Sequence, residues 1–427
     1  MSQLINPQAL KGFRDSLPGM EIPKKELISR LEKIFESFGF VPIDTPALEY
    51  TEVLLGKGGG ETEKQIYRFK DHGDRDVSLR FDLTVPFARF MALHRSELPV
   101  PFKRYHINKV WRGENTQKGR YREFTQCDFD TVGVDCPEAD WEIMQVMATS
   151  LEALEIGEFT IRLSHRGIFN RFLTLHEVQD QSVEILRTVD KLAKIGKEEV
   201  TRILTEIVGD HLPSKILDFI TAKGSYLEVL ALMERAAGGE AEDTQRLKAL
   251  WKFIEAAGWQ HRFVLDPSIT RGLDYYTGVV YETFLKDLPT IGSVCSGGRY
   301  NDLASLYTKE KLPGVGSSVG LDRLLAALEE LGRIKPRRGL TKVLVMNQKQ
   351  ELDTAYQVLA KDFRQAGIVT EVFLECKKLP PQFKYAESKD IPFVLFFRDE
   401  GGYQLKDIRS GAVHDFQDIR NGINFLI

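Results

Sequence analysis

The densest chemistry in this 427-residue sequence lies in three short stretches. RGLDYYTG (271–278) sets a cation, an acid and two phenols, Arg271, Asp274, Tyr275 and Tyr276, within six positions between glycines. RFDLT (80–84) alternates Arg80, Asp82 and Thr84 with apolar residues, and REFTQCDFDTVGV (122–134) carries Phe124, Gln126, Asp128 and Asp130 at every second position. Guanidinium forks match phosphate and carboxylate oxygens with two parallel donors. Carboxylates, amides and phenols suit a small ligand that carries N–H groups. Singly, such residues have ordinary uses: buried tyrosines with satisfied hydroxyls, solvated strand faces, Arg–Asp salt bridges. Several polar strand faces in one chain favour a site instead.

The whole chain bounds what that site can serve. Its length suggests two to three domains, and 42% hydrophobic residues is ordinary for a globular protein. A formal net charge of −4 argues against non-specific grip on nucleic acid as the main activity, while leaving room for a local basic site. The four cysteines, at 127, 136, 295 and 376, form no Cys-x-x-Cys pair and match no histidine spacing, so neither a zinc site nor a disulfide framework is expected. The start, MSQLINPQALKGFRDSLPGME, has no apolar core of signal-peptide length, and no run approaches a membrane span. A cytoplasmic protein with no membrane association and no protein-caged metal is expected.

The elements that position these residues are mixed. Leu27, Leu31, Ile34, Phe35 and Phe38 recur at helical spacing before Gly39. VSLRFDLTV reads as a strand, with Val77, Leu79, Phe81 and Leu83 on one face and Arg80, Asp82 and Thr84 on the other, in one sheet with the hairpin that follows. That hairpin pairs FKRYHINKVWR (102–112) with 122–134 across the turn GENTQKG, and the same parity extends the polar face back through Arg122 and Arg120. Its cationic end suits a triphosphate, with Phe124 as a platform for a base. Between 168 and 262 the patterning is helical, as an inserted domain would be. Strands return with FVLDPSITRGLDYYTGVVYETF, then a glycine-rich turn, CSGGRY, then a helix striped by Leu321, Leu324, Leu325, Leu328 and Leu331. After the linker LGRIKPRRG, KVLVMN, TAYQVLAKDFRQAG, TEVFLE and PFVLFF alternate as a small α/β module.

These peptides resemble a known family. RGENTQKGRYREFTQCDFD is similar to motif 2 of class II aminoacyl-tRNA synthetases, GVGSSVGLDRL to motif 3, and IDTPALE to the proline-bearing motif 1. RGLDYYTG and SGGRY resemble the two signature peptides of the histidyl-tRNA synthetases, and the likeness runs through DKLAKIG to the C-terminal KYA. The resemblance implies an α+β fold: a class II antiparallel-sheet catalytic domain over 1–167 and 263–335, a helical insertion over 168–262, and a small C-terminal α/β anticodon-binding domain over 338–427. It implies activation of L-histidine with ATP to histidyl-adenylate, then transfer to the 3′ end of tRNA(His) by a homodimer with Pro46 in its interface.

Residue roles follow from the same resemblance. Asp82, Leu83, Thr84, Arg112, Gln126, Asp130, Arg271, Tyr275 and Tyr276 would hold histidine, with Asp82, Thr84 and Gln126 at its ammonium and Asp130 and Tyr276 at the imidazole nitrogens. Arg112, Glu114, Arg120, Phe124 and Arg323 would bind ATP, accompanied by Mg2+. Arg271 and Arg112 would be catalytic, Arg271 standing where many relatives use a further metal ion. Gln117 and Lys118, with Gly119 and Arg120 beside them, would meet the tRNA acceptor end. The C-terminal module holds as many acids as bases, so its anticodon role, with Lys384, Lys406 and Arg409 as candidates, rests on resemblance. SGGRYN departs from the pattern at Asn301, where an Asp is usual. Two other readings are a histidine-sensing regulatory subunit of ATP phosphoribosyltransferase, expected to lack the C-terminal module and the phosphate arginines, and a pure RNA-binding module, which needs no amino-acid pocket.

Overall fold

In a computed structural model of the chain, residues 4–56, 62–189, 191–269, 275–398 and 401–427 are described. The chain divides into two compact units, Met1–Arg14 with Leu27–Ile334, and Asp15–Glu26 with Lys335–Ile427. Among the described residues no helix is long and apolar enough to cross a membrane.

The chain opens with α1 (Pro18–Ser37), whose residues from Leu27 on belong to the first unit, followed there by β1 (Val41–Pro42), β2 (Leu48–Tyr50), α2 (Thr51–Leu55), β3 (Arg68–Lys70), β4 (Asp76–Leu79) and α3 (Thr84–Leu93). The expected hairpin follows as β5 (Phe102–Trp111) and β6 (Glu123–Val132), then α4 (Pro137–Ala153) and β7 (Phe159–His165). Six helices come next: α5 (Arg166–Leu175), α6 (Ser182–Val189), α7 (Leu192–Val208), α8 (Pro213–Ile220), α9 (Tyr226–Ala236) and α10 (Glu242–Ala256). The chain re-enters the sheet through β8 (Phe263–Leu265), β9 (Val279–Leu285), β10 (Cys295–Arg299) and β11 (Gly314–Gly320), and α11 (Leu321–Glu330) closes the unit.

The eight-stranded sheet has the order β1-β5-β6-β11-β10-β9-β7-β8. Its pairs are antiparallel except at the two margins, where β1 runs parallel to β5 and β8 to β7. Register sets which residues share a face. Arg104 faces Asp130, Asp130 faces Gly316 and Gly316 faces Gly298, so these stand on one side, in line with Gln126, Asp128 and Ser318. Cys127, Phe129, Val315 and Val319 take the other side, fully buried, where the Phe35 ring of α1 lies tilted 4.9 Å from Phe129. This apolar patch on the back face fixes the register, because a one-residue slip would put the polar site residues into the core.

Three expectations need correction. VSLRFDLTV is not one strand and not part of the large sheet: β4 stops at Leu79 and belongs to a separate three-stranded sheet, β2-β4-β3. Asp82 ends the extended run because its carboxylate accepts the N–H of Val85 at 3.1 Å, which caps α3, and Pro86 in the first turn has no N–H to leave unpaired. The strand face does not continue to Arg120 and Arg122 either. Arg120 sits in the reversal, its N–H donating to Gln117 O, and Arg122 turns away to Lys11 O and Glu114 O. Finally, CSGGR is not a turn but strand β10, between β9 and β11. A Cβ on Gly297 would lie 2.1 Å from Gly316 O, so only glycine lets these strands approach.

The second unit carries β12 (Val343–Val345), α12 (Asp353–Gln365), β13 (Thr370–Val372), α13 (Leu379–Ser388), β14 (Phe393–Phe397), β15 (Tyr403–Asp407), β16 (Val413–Phe416) and α14 (Ile419–Leu426). Its sheet order is β13-β12-β14-β15-β16, parallel across the first three strands and antiparallel across the rest. Alternation along β12 feeds two cores, Val343 and Val345 with Tyr356 and Phe363 on one side, and Leu344 with Ala386 and Val394 on the other.

Candidate active site

Two groups of side chains, an acid chamber and a cationic chamber, meet at the polar face of the large sheet, and the cationic one surrounds a cavity. The first is lined by acids. Asp82 is 1% exposed, and beyond its bond to Val85 it accepts the Tyr275 hydroxyl at 3.2 Å. Burial pushes its carboxyl up to about 6, opposed by the guanidiniums of Arg112 and Arg104. Asp130, 2% exposed, accepts the Tyr300 hydroxyl at 2.6 Å and lies 2.8 Å from Arg104 Nη2. That second contact is close but not aligned as a hydrogen bond, so one carboxylate oxygen keeps capacity for an N–H donor. Burial also raises Asp128 and Asp130, with Arg104 opposing in both cases. Tyr275, Tyr276 and Tyr300 meet edge to face, at 4.9 Å and 6.0 Å.

The second chamber is cationic. A cavity of about 130 Å3 is lined by Arg112, Arg120 and Arg323 together with Glu114, Phe124 and Gln126. Arg323 rises from the first turn of α11, and burial beside Arg120 and Arg112 lowers its affinity for its proton to a pKa of about 10. The helix start is fastened by Asp322, which accepts Thr125 N at 2.6 Å and pairs with Arg14 at 2.8 Å. Three guanidiniums converging in one small cavity is an arrangement that favours a polyanion.

Two residues join the chambers. Arg112 donates to Phe81 O at 2.9 Å, lies 5.2 Å over the Phe124 ring, and exerts its field on Asp82. Gln126 lines the cationic cavity and donates to Ser318 at 3.0 Å and Asp128 at 3.4 Å, while its Oε1 is buried with no partner. Beneath them the floor is glycine: a Cβ on Gly316 would lie 2.0 Å from Asp130 Oδ1, and one on Gly298 2.9 Å from the Tyr276 ring.

Of the residues expected at the site, Asp82, Thr84, Gln126, Asp130, Tyr275 and Tyr276 gather at the acid chamber, and Arg112, Glu114, Arg120, Phe124 and Arg323 at the cationic one. Leu83 differs: its side chain is fully buried, and its carbonyl accepts from Arg104. Gln117 and Lys118 stand exposed in the turn, Lys118 paired with Glu330 at 2.7 Å. Arg271, with Asp274, lies outside the described residues. Arg104 and Tyr300 were not singled out from sequence. Tyr300 was within reach through SGGRY, but Arg104 shows only once the hairpin register is known.

The site's architecture has known counterparts. The family model described as histidyl-tRNA synthetase matches residues 12–324, and the model described as anticodon binding domain matches 342–410. The chain belongs to the histidyl-tRNA synthetase family. It is 54% identical over 403 residues to the histidine–tRNA ligase of Treponema denticola, covering 93% of this chain and 90% of that protein. The crystal structure of histidyl-tRNA synthetase from a Nostoc species superposes with a TM-score of 0.88 at 32% identity, covering 99% of this chain and all of the other. A Bacillus halodurans structure titled as an ATP phosphoribosyltransferase regulatory subunit/histidyl-tRNA synthetase shares the fold at 22% identity, with a TM-score of 0.75 and coverage of 92% of this chain and 99% of the other. Membership accounts for both parts of the fold, the antiparallel-rich sheet unit and the C-terminal sheet unit.

The C-terminal synthetase unit has a surface of its own. A groove of about 590 Å3 is lined by Phe383, Phe396, Gln404 and Lys406, with Lys406 Nζ 5.3 Å over the Phe383 ring. Aromatic faces beside a cation suit unstacked bases.

Proposed function

We infer that the chain is a histidine–tRNA ligase, activating L-histidine with ATP and passing it to the 3′ end of tRNA(His). The observation that carries the site assignment is the bridge: Arg112 and Gln126 each belong to an acid chamber fit for an amino acid and a cationic chamber fit for a triphosphate. Histidine's carboxylate then meets the α-phosphate beside Arg112 and attacks in line, expelling pyrophosphate, so the protein's task is positioning and neutralisation. Arg120 and Arg323 take the outer phosphates, and adenine stacks on Phe124.

The imidazole lies toward Asp130, whose free oxygen accepts one ring N–H, with Tyr276 at the other nitrogen. The ammonium lies toward Asp82, Thr84 and Gln126. We assign Arg271 to the charge that grows on the α-phosphate. Mg2+ would enter with ATP: Asp322 is engaged by Arg14 and Thr125, which leaves Glu114 as the acid among the described lining residues, and one carboxylate suits an ion held chiefly by phosphates and water. Bound there, it would neutralise phosphate charge.

The reading extends to tRNA contacts at Gln117 and Lys118, bases in the C-terminal groove, action in the cytoplasm, and a homodimer built on exposed Pro46 and its neighbours Val41, Leu48 and Tyr50. Histidine-dependent exchange of pyrophosphate into ATP tests the activity. Exchange absent from folded protein would leave the regulatory reading, and binding of RNA without exchange the RNA-module reading.

A further inference from the structure

Behind the acid chamber lies a second charged cluster that the reaction does not use. Arg299, the last residue of β10, is 1% exposed, and its Nε donates to Asp140 at 2.9 Å. Its Nη1 reaches Val134 O and Asn301 Oδ1, both at 3.2 Å, and lies 3.3 Å from Asp135. Asp140, on α4, is wholly buried, and its other oxygen is taken by Arg246 at 2.7 Å. Arg246 comes from α10, among the inserted helices, and its second arm holds Asp135 at 2.6 Å. Asn301 completes the ring by donating to the second oxygen of Asp135 at 2.8 Å.

Two arginines thus balance two aspartates across three elements. The peptide they clamp is the one that carries Tyr300. Arg299 and Tyr300 are consecutive and leave the backbone on opposite faces of the sheet, Arg299 into the cluster and Tyr300 onto Asp130. The backbone is pinned on both flanks, with Thr277 N on Arg299 O at 2.8 Å, Tyr300 N on Gly314 O at 2.7 Å, and Asn301 N on Thr277 Oγ1 at 3.0 Å. These bonds tie Arg299, Tyr300 and Asn301 into one segment, so a pull on the buried Arg299 guanidinium that displaces its backbone also reorients the Tyr300 phenol.

We propose that Arg246 of the inserted helices is a positioning residue for histidine binding, acting through Asp140 and Arg299 to aim the Tyr300 hydroxyl at Asp130. Without Arg246, Arg299 is the arginine of the cluster left to balance both Asp135 and Asp140, with Asn301 still donating to Asp135. Its guanidinium then moves toward their mean position, and the tyrosine hydroxyl moves with it. ATP contacts lie in the other chamber and are not touched. The inference rests on the proposed placing of the imidazole at Asp130, the carboxylate that Tyr300 holds.

The test is a double-substitution cycle in the full-length chain, read by pyrophosphate-exchange kinetics and thermal unfolding. Tyr300→Phe tests the pocket itself: an unchanged histidine KM removes that assignment and the inference with it. Given a raised KM there, Arg246→Met is expected to raise histidine KM about tenfold while ATP KM stays within about twofold, and to add little on top of Tyr300→Phe. Arg246→Lys, whose ammonium serves one carboxylate at a time, falls between, and it answers the same question should Arg246→Met not fold. A folded Arg246 variant with unchanged histidine KM, or effects that simply multiply with those of Tyr300→Phe, overturns the proposal. A purely structural role predicts the same: lower unfolding temperature and ordinary kinetics.

Discussion

Tyr300, the residue after β10, donates to Asp130 near the end of β6 at 2.6 Å, across the intervening strand β11. The bond leaves Asp130 with an acceptor oxygen beside Arg104 and defines the far wall of the acid chamber.

Asp130→Asn keeps the shape but can turn an amide N–H2 toward the ligand. Histidine KM is expected to rise by on the order of a hundredfold, with poorer discrimination against analogues that lack ring N–H groups, because a site built to accept a hydrogen bond loses that selectivity. Exchange kinetics with histidine and such analogues measure it. Retained discrimination in a folded variant counts against the imidazole assignment.

The pH response follows from Asp82. Its folded pKa of about 6 stands above the ordinary carboxylate value near 3.8, so its stabilising contribution is full below about pH 4 and disappears as pH climbs through 6. Asp82→Asn should flatten that part of the unfolding temperature's pH profile. An ammonium at this site favours the ionised form, so histidine should raise the unfolding temperature more at pH 7 than at pH 5, and lose part of that difference in Asp82→Asn.

Arg323 is held against burial and two like charges, a cost that the proposed phosphate binding would offset. Arg323→Met should raise ATP KM by on the order of tenfold or more, leave histidine KM nearly unchanged, and lower stability little or not at all. An equal rise in both KM values would contradict the division into two chambers.

In the C-terminal unit, Phe383→Ala with Lys406→Ala removes a stacking face and its cation. A lost base contact of about 1–3 kcal/mol should raise tRNA KM at least fivefold while histidine-dependent exchange stays normal. Unaltered charging at subsaturating tRNA would exclude this groove as the base-binding surface.

Legibility in the sequence followed the side chains. The β5–β6 hairpin was readable because ten residues on each strand alternate around a polar turn, and α11 because its leucines repeat at helical spacing. RFDLT misled because alternation there is local: Asp82 spends its carboxylate on a helix start, which no two-residue period reveals. CSGGR was mistaken for a turn because its glycines meet an interstrand need, visible only when β11 is in place. Arg104 escaped because its significance depends on the residue opposite, and register is a property of two strands.

The glycine floor sets a direction for any attempt to change the amino acid accepted. Gly298 and Gly316 already have the smallest side chain there is, so the pocket admits no enlargement from below. Every substitution fills it, and the first atom added at 316 strikes Asp130 while the first at 298 strikes the Val279 carbonyl and Tyr276. Redesign toward bulkier amino acids must therefore work through the walls, at Tyr275, Tyr276 or Tyr300, where atoms remain to be removed.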